Sequence, residues 1–184
     1  MSQSVPIRRA VGGRALNLLA AGAFVCLGAT ALPGAAEARS VVSFTPSVQP
    51  GTIVISARQR KLFLVVGQGV AISYPVAVPK SGKEWSGHAA IDGKYVNPDW
   101  SPPPIVKADH PELPNFIHGG SPHNPMGVRA LTLDRYQVAI HGTTARMRAS
   151  IGTAASYGCI RMLNEDVADL YDRVSVGSPV IMAP

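Results

Sequence analysis

The sequence predicts a β-rich domain over residues 51–184, mostly strand with one or two short helices. Three observations carry this. Short β-branched runs recur, separated by glycine-containing turns. Prolines and glycines crowd the middle of the chain, where they bar long helices and central strands. Near the C-terminus, one stretch shows clear helical apolar spacing. The 184 residues favour one domain, large enough for a hydrophobic core without staples.

Residues 1–38 read as a secretory signal. Arg8, Arg9 and Arg14 form a positive start, and Ala15 to Leu32 is apolar and uncharged. Pro33-Gly34 breaks the run, and Ala36-Glu37-Ala38 gives a small-residue cleavage pattern before Arg39. A retained membrane anchor is the alternative, because the run approaches the ~18 residues of a spanning helix. Cleavage near Ala38-Arg39 predicts an exported protein of the periplasm or cell envelope. It removes three basic residues and one acid, so the formal charge falls from +6 to +4. With no basic run, nucleic acid is not an expected partner.

Cleavage also removes Cys26, leaving Cys159 alone. An unpaired cysteine in an exported protein is an intermolecular link, a reactive thiol or an inert core residue.

Residues 39–50 are mostly polar or helix-breaking, and are expected to be a linker. Val41-Val42 and Phe44 interrupt that run. Strands are predicted at Thr52–Ser56, Leu62–Val66 and Val70–Val78, with the basic turn Arg58–Lys61 between the first two. From Trp85 to Arg129 the chain is rich in Gly, Pro and aromatic residues, and is expected to form the walls and lid of a cleft. Trp85 and Trp100 suit either the core or a sugar-stacking platform, with at least one in the core. Leu131–Leu133 and Tyr136–Ile140 read as strands, so His141 ends a strand. Asn164 is the expected N-cap of a helix reaching about Val174, with Val167, Leu170, Tyr171 and Val174 on one face. Gly177 stops it, and Ser178–Met182 is a final strand.

The chemistry concentrates in Ser156-Tyr157-Gly158-Cys159-Ile160-Arg161-Met162 and the upstream Ile140-His141-Gly142-Thr143. A thiolate attacks where a thiol hardly does, and a neighbouring imidazole can take the proton. His141 is the candidate base. Gly142 leaves a carbonyl free to orient its ring, and Gly158 permits a tight backbone whose N–H groups, with that of Cys159, suit an oxyanion. If this segment is extended, Arg161 shares a face with Cys159, where a guanidinium can bind a carboxylate. The residues point to acyl transfer or hydrolysis through a thioester. His118, His123, His141 and Cys159 have no recognised zinc spacing and no accompanying acid, so no metal is expected.

These motifs resemble the L,D-transpeptidase catalytic domain family, the YkuD-like family in its ErfK/YbiS/YcfS/YnhG-type branch. His141-Gly142-Thr143, Ser150-Ile151-Gly152 and the Ser156–Met162 motif carry the resemblance, which runs from about Gly51 to Met182. Tyr74-Pro75-Val76, Trp100-Ser101-Pro102-Pro103 and Asn124-Pro125-Met126-Gly127 support it. The resemblance implies a mixed-sheet sandwich, no cofactor, a monomer, and peptidoglycan stem peptides as substrate. Cys159 would attack the third residue of a tetrapeptide stem and expel D-alanine, with His141 moving the proton. A neighbouring stem amine would then form a 3→3 cross-link. Carbapenems would acylate the thiol. An outer-membrane protein amine or water could replace the stem amine, and a non-catalytic wall-binding module is the reading from another class. Thr143, Ser156, Tyr157 and His118 join Arg161 as candidate substrate contacts. Many members carry a histidine where this chain has Tyr157, so the base role falls to His141. The Trp85-Ser86-Gly87-His88 segment also departs from the family's usual threonine-proline turn.

Overall fold

A computed structural model describes residue 1, residues 38–45 and residues 47–184. The predicted signal segment, with Cys26, falls almost wholly outside the described residues. Strands β1 (Ser40–Ser43), β2 (Ile53–Ser56), β3 (Lys61–Gly67), β4 (Val70–Pro79) and β5 (Gly87–Val96) come first. Helix α1 (Pro104–Asp109) precedes β6 (Arg129–Leu133) and β7 (Ala139–His141). After a 3₁₀ segment at Ala145–Ser150 come β8 (Ala154–Ser156), β9 (Ile160–Met162), helix α2 (Asn164–Arg173) and β10 (Pro179–Ala183).

The expected β-rich, mixed-sheet architecture is what the chain forms. Strand order runs β1-β4-β3-β2-β10-β5-β6-β7-β9, and β4 also pairs with β9. The path from β4 round to β9 therefore closes on itself. The long strands β4 and β5 make this possible, because each runs from one sheet into the other. Residues 70–75 of β4 pair with β3, while Val76 and Ala77 pair with β9. The β2–β10, β7–β9 and β4–β8 pairs are parallel, and the other named pairs are antiparallel.

Alternation fills the interior. Ile53 and Ile55 of β2, Leu62 and Leu64 of β3, and Val180 and Met182 of β10 all point inward. Helix α2 adds Val167, Leu170 and Val174 at helical spacing. Truncating a side chain as enclosed as Leu170 to alanine costs about 2–5 kcal/mol.

Four local expectations change. Residues 39–50 are not simply a linker, because β1 pairs antiparallel with residues 70–73 of β4. Phe44 is buried, with its ring 5.3 Å from that of Phe63. Of the apolar residues interrupting the polar run, Phe44 and Val42 anchor it, while Val41 faces solvent. The Gly/Pro-rich middle opens with a full strand, β5, hidden in sequence by Gly87 and Gly93. Gly93 sits at a register shift against β6, where a Cβ would meet Thr132 Oγ1 and the Tyr95 ring at 2.7 Å. The same middle holds α1, tolerated because Pro104 occupies its first turn. Finally, Asn164 is the first residue of α2 and not its cap; Leu163 stands at the cap with no side-chain bond.

Candidate active site

Strands β7 and β9 run parallel, with Ile140 opposite Ile160 and His141 opposite Arg161. Side chains alternate along a strand, so both isoleucines enter the core while His141 and Arg161 share the other face. Cys159 immediately precedes β9 and joins that face two residues from Arg161. The turn delivering it is tightly braced. Gly158 adopts a φ of 135°, in the region favouring glycine. The Ser156 hydroxyl donates to the Cys159 carbonyl and accepts from the Gly158 N–H. Trp85 Nε1 donates to the Gly158 carbonyl at 2.9 Å, and the Arg135 guanidinium lies over the Trp85 ring.

His141 is buried, with Nδ1 2.8 Å from the Gly142 carbonyl. A carbonyl can only accept, so the proton sits on Nδ1 and Nε2 keeps its lone pair. Burial, reinforced by the Arg161 charge, lowers the imidazole pKa to about 4 against the opposing pull of the Gly142 and Pro125 carbonyls. Burial raises the Cys159 thiol, outweighing the Ala139 backbone and the Arg161 charge. The resting pair is thus a neutral imidazole and a neutral thiol. The thiol donates to the Gln137 carbonyl at 3.6 Å. Gln137 has a left-handed φ of 56°.

Arg161 is also buried, and burial lowers its guanidinium. Its Nη1 donates to Ser150 Oγ at 2.7 Å, while Nε is buried without a partner. Among the described residues no carboxylate pairs with this cation, and a guanidinium so placed can hydrogen-bond an anion.

These groups open onto a largely apolar cleft of about 1080 Å³, with Trp100, Ile105, Phe116 and Met126 among its walls. The catalytic-domain profile of the L,D-transpeptidases (YkuD) matches residues 50–182. The chain belongs to the L,D-transpeptidase family. The probable L,D-transpeptidase YbiS of Escherichia coli K12 is 33% identical over 142 residues, covering 73% of this chain and 44% of that protein. The chain thus spans less than half the length of that relative. An L,D-transpeptidase structure from Mycobacterium smegmatis superposes with a TM-score of 0.57 at 20% identity, covering 72% of this chain and 58% of that one, which shows the shared fold. A Brucella melitensis structure described as a probable carnitine operon oxidoreductase is 40% identical, with a TM-score of 0.54, over 78% of this chain and 92% of that one.

Within this L,D-transpeptidase domain, the residues singled out in sequence divide by position. Cys159, His141, Arg161, Tyr157 and His118 all line the large cleft. His118 is solvent-facing, with 86% of its side chain exposed, and packs edge-on against Phe116. Thr143 and Ser156, expected as substrate contacts, are buried and outside the cleft lining. Ser156 holds the thiol turn closed, and Thr143 is tied through its backbone. The Gly158 N–H, expected to face an oxyanion, is engaged by Ser156 Oγ at 3.3 Å.

The sequence missed Asn164 as part of this site. Its Oδ1 accepts from the Thr143 N–H at 2.9 Å, and its Nδ2 donates to the Thr143 carbonyl at 3.0 Å. It thereby clamps the backbone following His141. A Cβ on Gly142 would stand 2.2 Å from Asn164 Oδ1, so close approach explains that glycine. Buried Asn124 is the matching brace on the cleft wall, with Nδ2 donating to the Pro98, Ile117 and His118 carbonyls. Among the described residues, no cluster of three or more His, Cys, Asp or Glu is arranged for a metal.

Proposed function

We propose that the chain is a peptidoglycan L,D-transpeptidase that forms 3→3 cross-links through a thioester on Cys159. The observation that carries this is the placement of Cys159, His141 and Arg161 on one face of β7 and β9, at an apolar cleft, in a chain of this family. The E. coli relative's description as a transpeptidase supports it.

The thiol leaves its Gln137 acceptor and gives its proton to His141 Nε2. Sγ attacks the carbonyl carbon of the third stem residue. The Cys159 N–H is the donor we assign to the resulting oxyanion, since the Gly158 N–H is engaged. Arg161 binds a stem carboxylate. Collapse breaks the amide bond, and D-alanine leaves with the proton from His141. An acceptor amine then attacks the thioester and loses its proton to His141. Sγ departs, recovers that proton, and the new amide is the cross-link.

The Brucella protein's description names oxidoreductase chemistry. The thiol, imidazole and guanidinium on one face favour acyl transfer here. The reading includes export, with residues 1–38 removed near Ala38-Arg39, action as a monomer in the periplasm or cell envelope, no cofactor, and acylation by carbapenems. Water or an outer-membrane protein amine would use the same thioester. Incubation with disaccharide tetrapeptide followed by mass spectrometry tests the acceptor. Dimers linked 3→3 are expected. Tripeptide without dimer would replace cross-linking with carboxypeptidase action.

A further inference from the structure

Residues 101–116 make an excursion pinched at its base. Trp100 and Ile117 pair as an isolated bridge, exchanging N–H···O bonds of 2.9 and 2.7 Å. Asn124 ties the same neck through the carbonyls of Pro98 and Ile117. The tip is α1, none of whose residues is buried. Ile105 and Val106 of α1 nevertheless form part of the large cleft's wall.

One side chain fastens this tip to the body. The Tyr157 hydroxyl donates to Asp109 Oδ2 at 2.7 Å. Lys80 Nζ lies 3.6 Å from the same oxygen and 3.6 Å from the centre of the Tyr157 ring. The Lys80 N–H donates to the Ser156 carbonyl at 2.9 Å, so Lys80 and Tyr157 both belong to the scaffold of the thiol turn. Among the described residues, no other side-chain hydrogen bond or ion pair joins α1 to a residue outside 103–113. The Tyr157 hydrogen bond, followed by the Lys80 charge, holds the Asp109 carboxyl below its usual range. Tyr157 also stands between two openings. It lines the large cleft and a smaller one of about 470 Å³, with Trp85, Arg135 and Gly158 among that cleft's walls.

We propose that Asp109 and Tyr157, seated by Lys80, form a clasp that holds the α1 wall against the thiol turn and sets the width of the cleft. They act as positioning residues that favour retention of an extended stem peptide. Small thiol reagents need no such wall. The clasp is solvent-exposed and therefore easily released, as a gate must be.

The kinetic part of this proposal rests on the transpeptidase reading, whereas the mechanical part does not. The test therefore has two arms, using the full chain carrying Y157F, D109L or both, since leucine keeps the shape of the carboxylate and cannot accept the Tyr157 hydrogen bond. Both substitutions preserve size. In the first arm, hydrogen–deuterium exchange at residues 105–110 should quicken about five- to ten-fold in each single variant, as expected for one lost hydrogen bond. The double variant should be no faster than either single one. Unchanged exchange, or additive effects of the two substitutions, would overturn the clasp. In the second arm, KM for the tetrapeptide donor should rise about five-fold with kcat within about two-fold, and Cys159 alkylation by iodoacetamide should stay within about two-fold. A fall in kcat at constant KM would instead place Tyr157 at the reacting atoms and overturn the positioning role. If the wild-type chain turns over no stem peptide, the functional reading fails, and the exchange arm still decides the clasp.

Discussion

The Cys159 thiol donates to the backbone carbonyl of Gln137, at 3.6 Å, and makes no hydrogen bond to the His141 ring. The two titratable groups are also displaced in opposite senses, the imidazole down to about 4 and the thiol up. His141 therefore loses its proton well before Cys159 loses its own as pH rises. Between those points neither is charged. Alkylation of the free enzyme by iodoacetamide should accelerate about ten-fold per pH unit from pH 7 to 9, following thiolate population. A rate already on a plateau by pH 6 would show a preformed ion pair instead.

The same displacement couples stability to pH. His141's folded value, about 4, lies below its ordinary 6.5, so the unfolded chain takes up the proton first as pH falls. Stability from this group is full above 6.5, declines as pH drops, and stops changing below about 4. The window is worth about 3 kcal/mol. Urea unfolding at pH 7 and pH 4 should show the wild type losing about 3 kcal/mol more than His141→Gln. Equal losses would place the protonated ring comfortably in the fold.

Asn164 is expected to matter for both stability and catalysis. Asn164→Ala leaves the Thr143 N–H and carbonyl without their partner. The cost should be about 2–4 kcal/mol, because backbone groups beside a buried residue stay unsatisfied. Activity should fall with it, since the clamp fixes the chain directly after His141. Gly142→Ala should damage the same contact from the other side, through its clash with Asn164 Oδ1. Thermal melts and initial rates on both variants check this.

Much of this was legible because it is local. A thiol motif, a histidine at a strand end and an amphipathic helix each announce themselves within a few residues. Cys159, His141 and Arg161 converge because β7 and β9 pair in parallel, which the spacing of their side chains allowed but did not require. What escaped depends on long-range use of ordinary residues. Asn164 resembled a helix cap, yet its amide is drawn to a loop 21 positions away. Asp109 lies 48 positions from Tyr157, with no local pattern to join them. β1 is short and mostly exposed, so only its pairing with β4 makes it a strand. The Gln137 carbonyl is backbone, invisible to any reading of side chains.

Arg161 should tolerate little. Its buried Nε lacks a partner and its Nη1 is held by Ser150. Arg161→Lys keeps the charge but loses the planar fork, so KM for the tetrapeptide should rise about ten-fold or more, with a smaller change in kcat. Steady-state kinetics on a refolded, monodisperse variant would check the split. An unchanged KM would remove Arg161 from carboxylate binding.

In the proposed reaction Cys159 carries the acyl group. Intact-mass spectrometry of the wild type and Cys159→Ala after exposure to meropenem tests it most directly. A one-to-one covalent adduct is expected on the wild type, mapped to the peptide bearing Cys159, and none on the variant. A wild-type chain that stays unmodified, or a variant that acquires the same adduct, would contradict it.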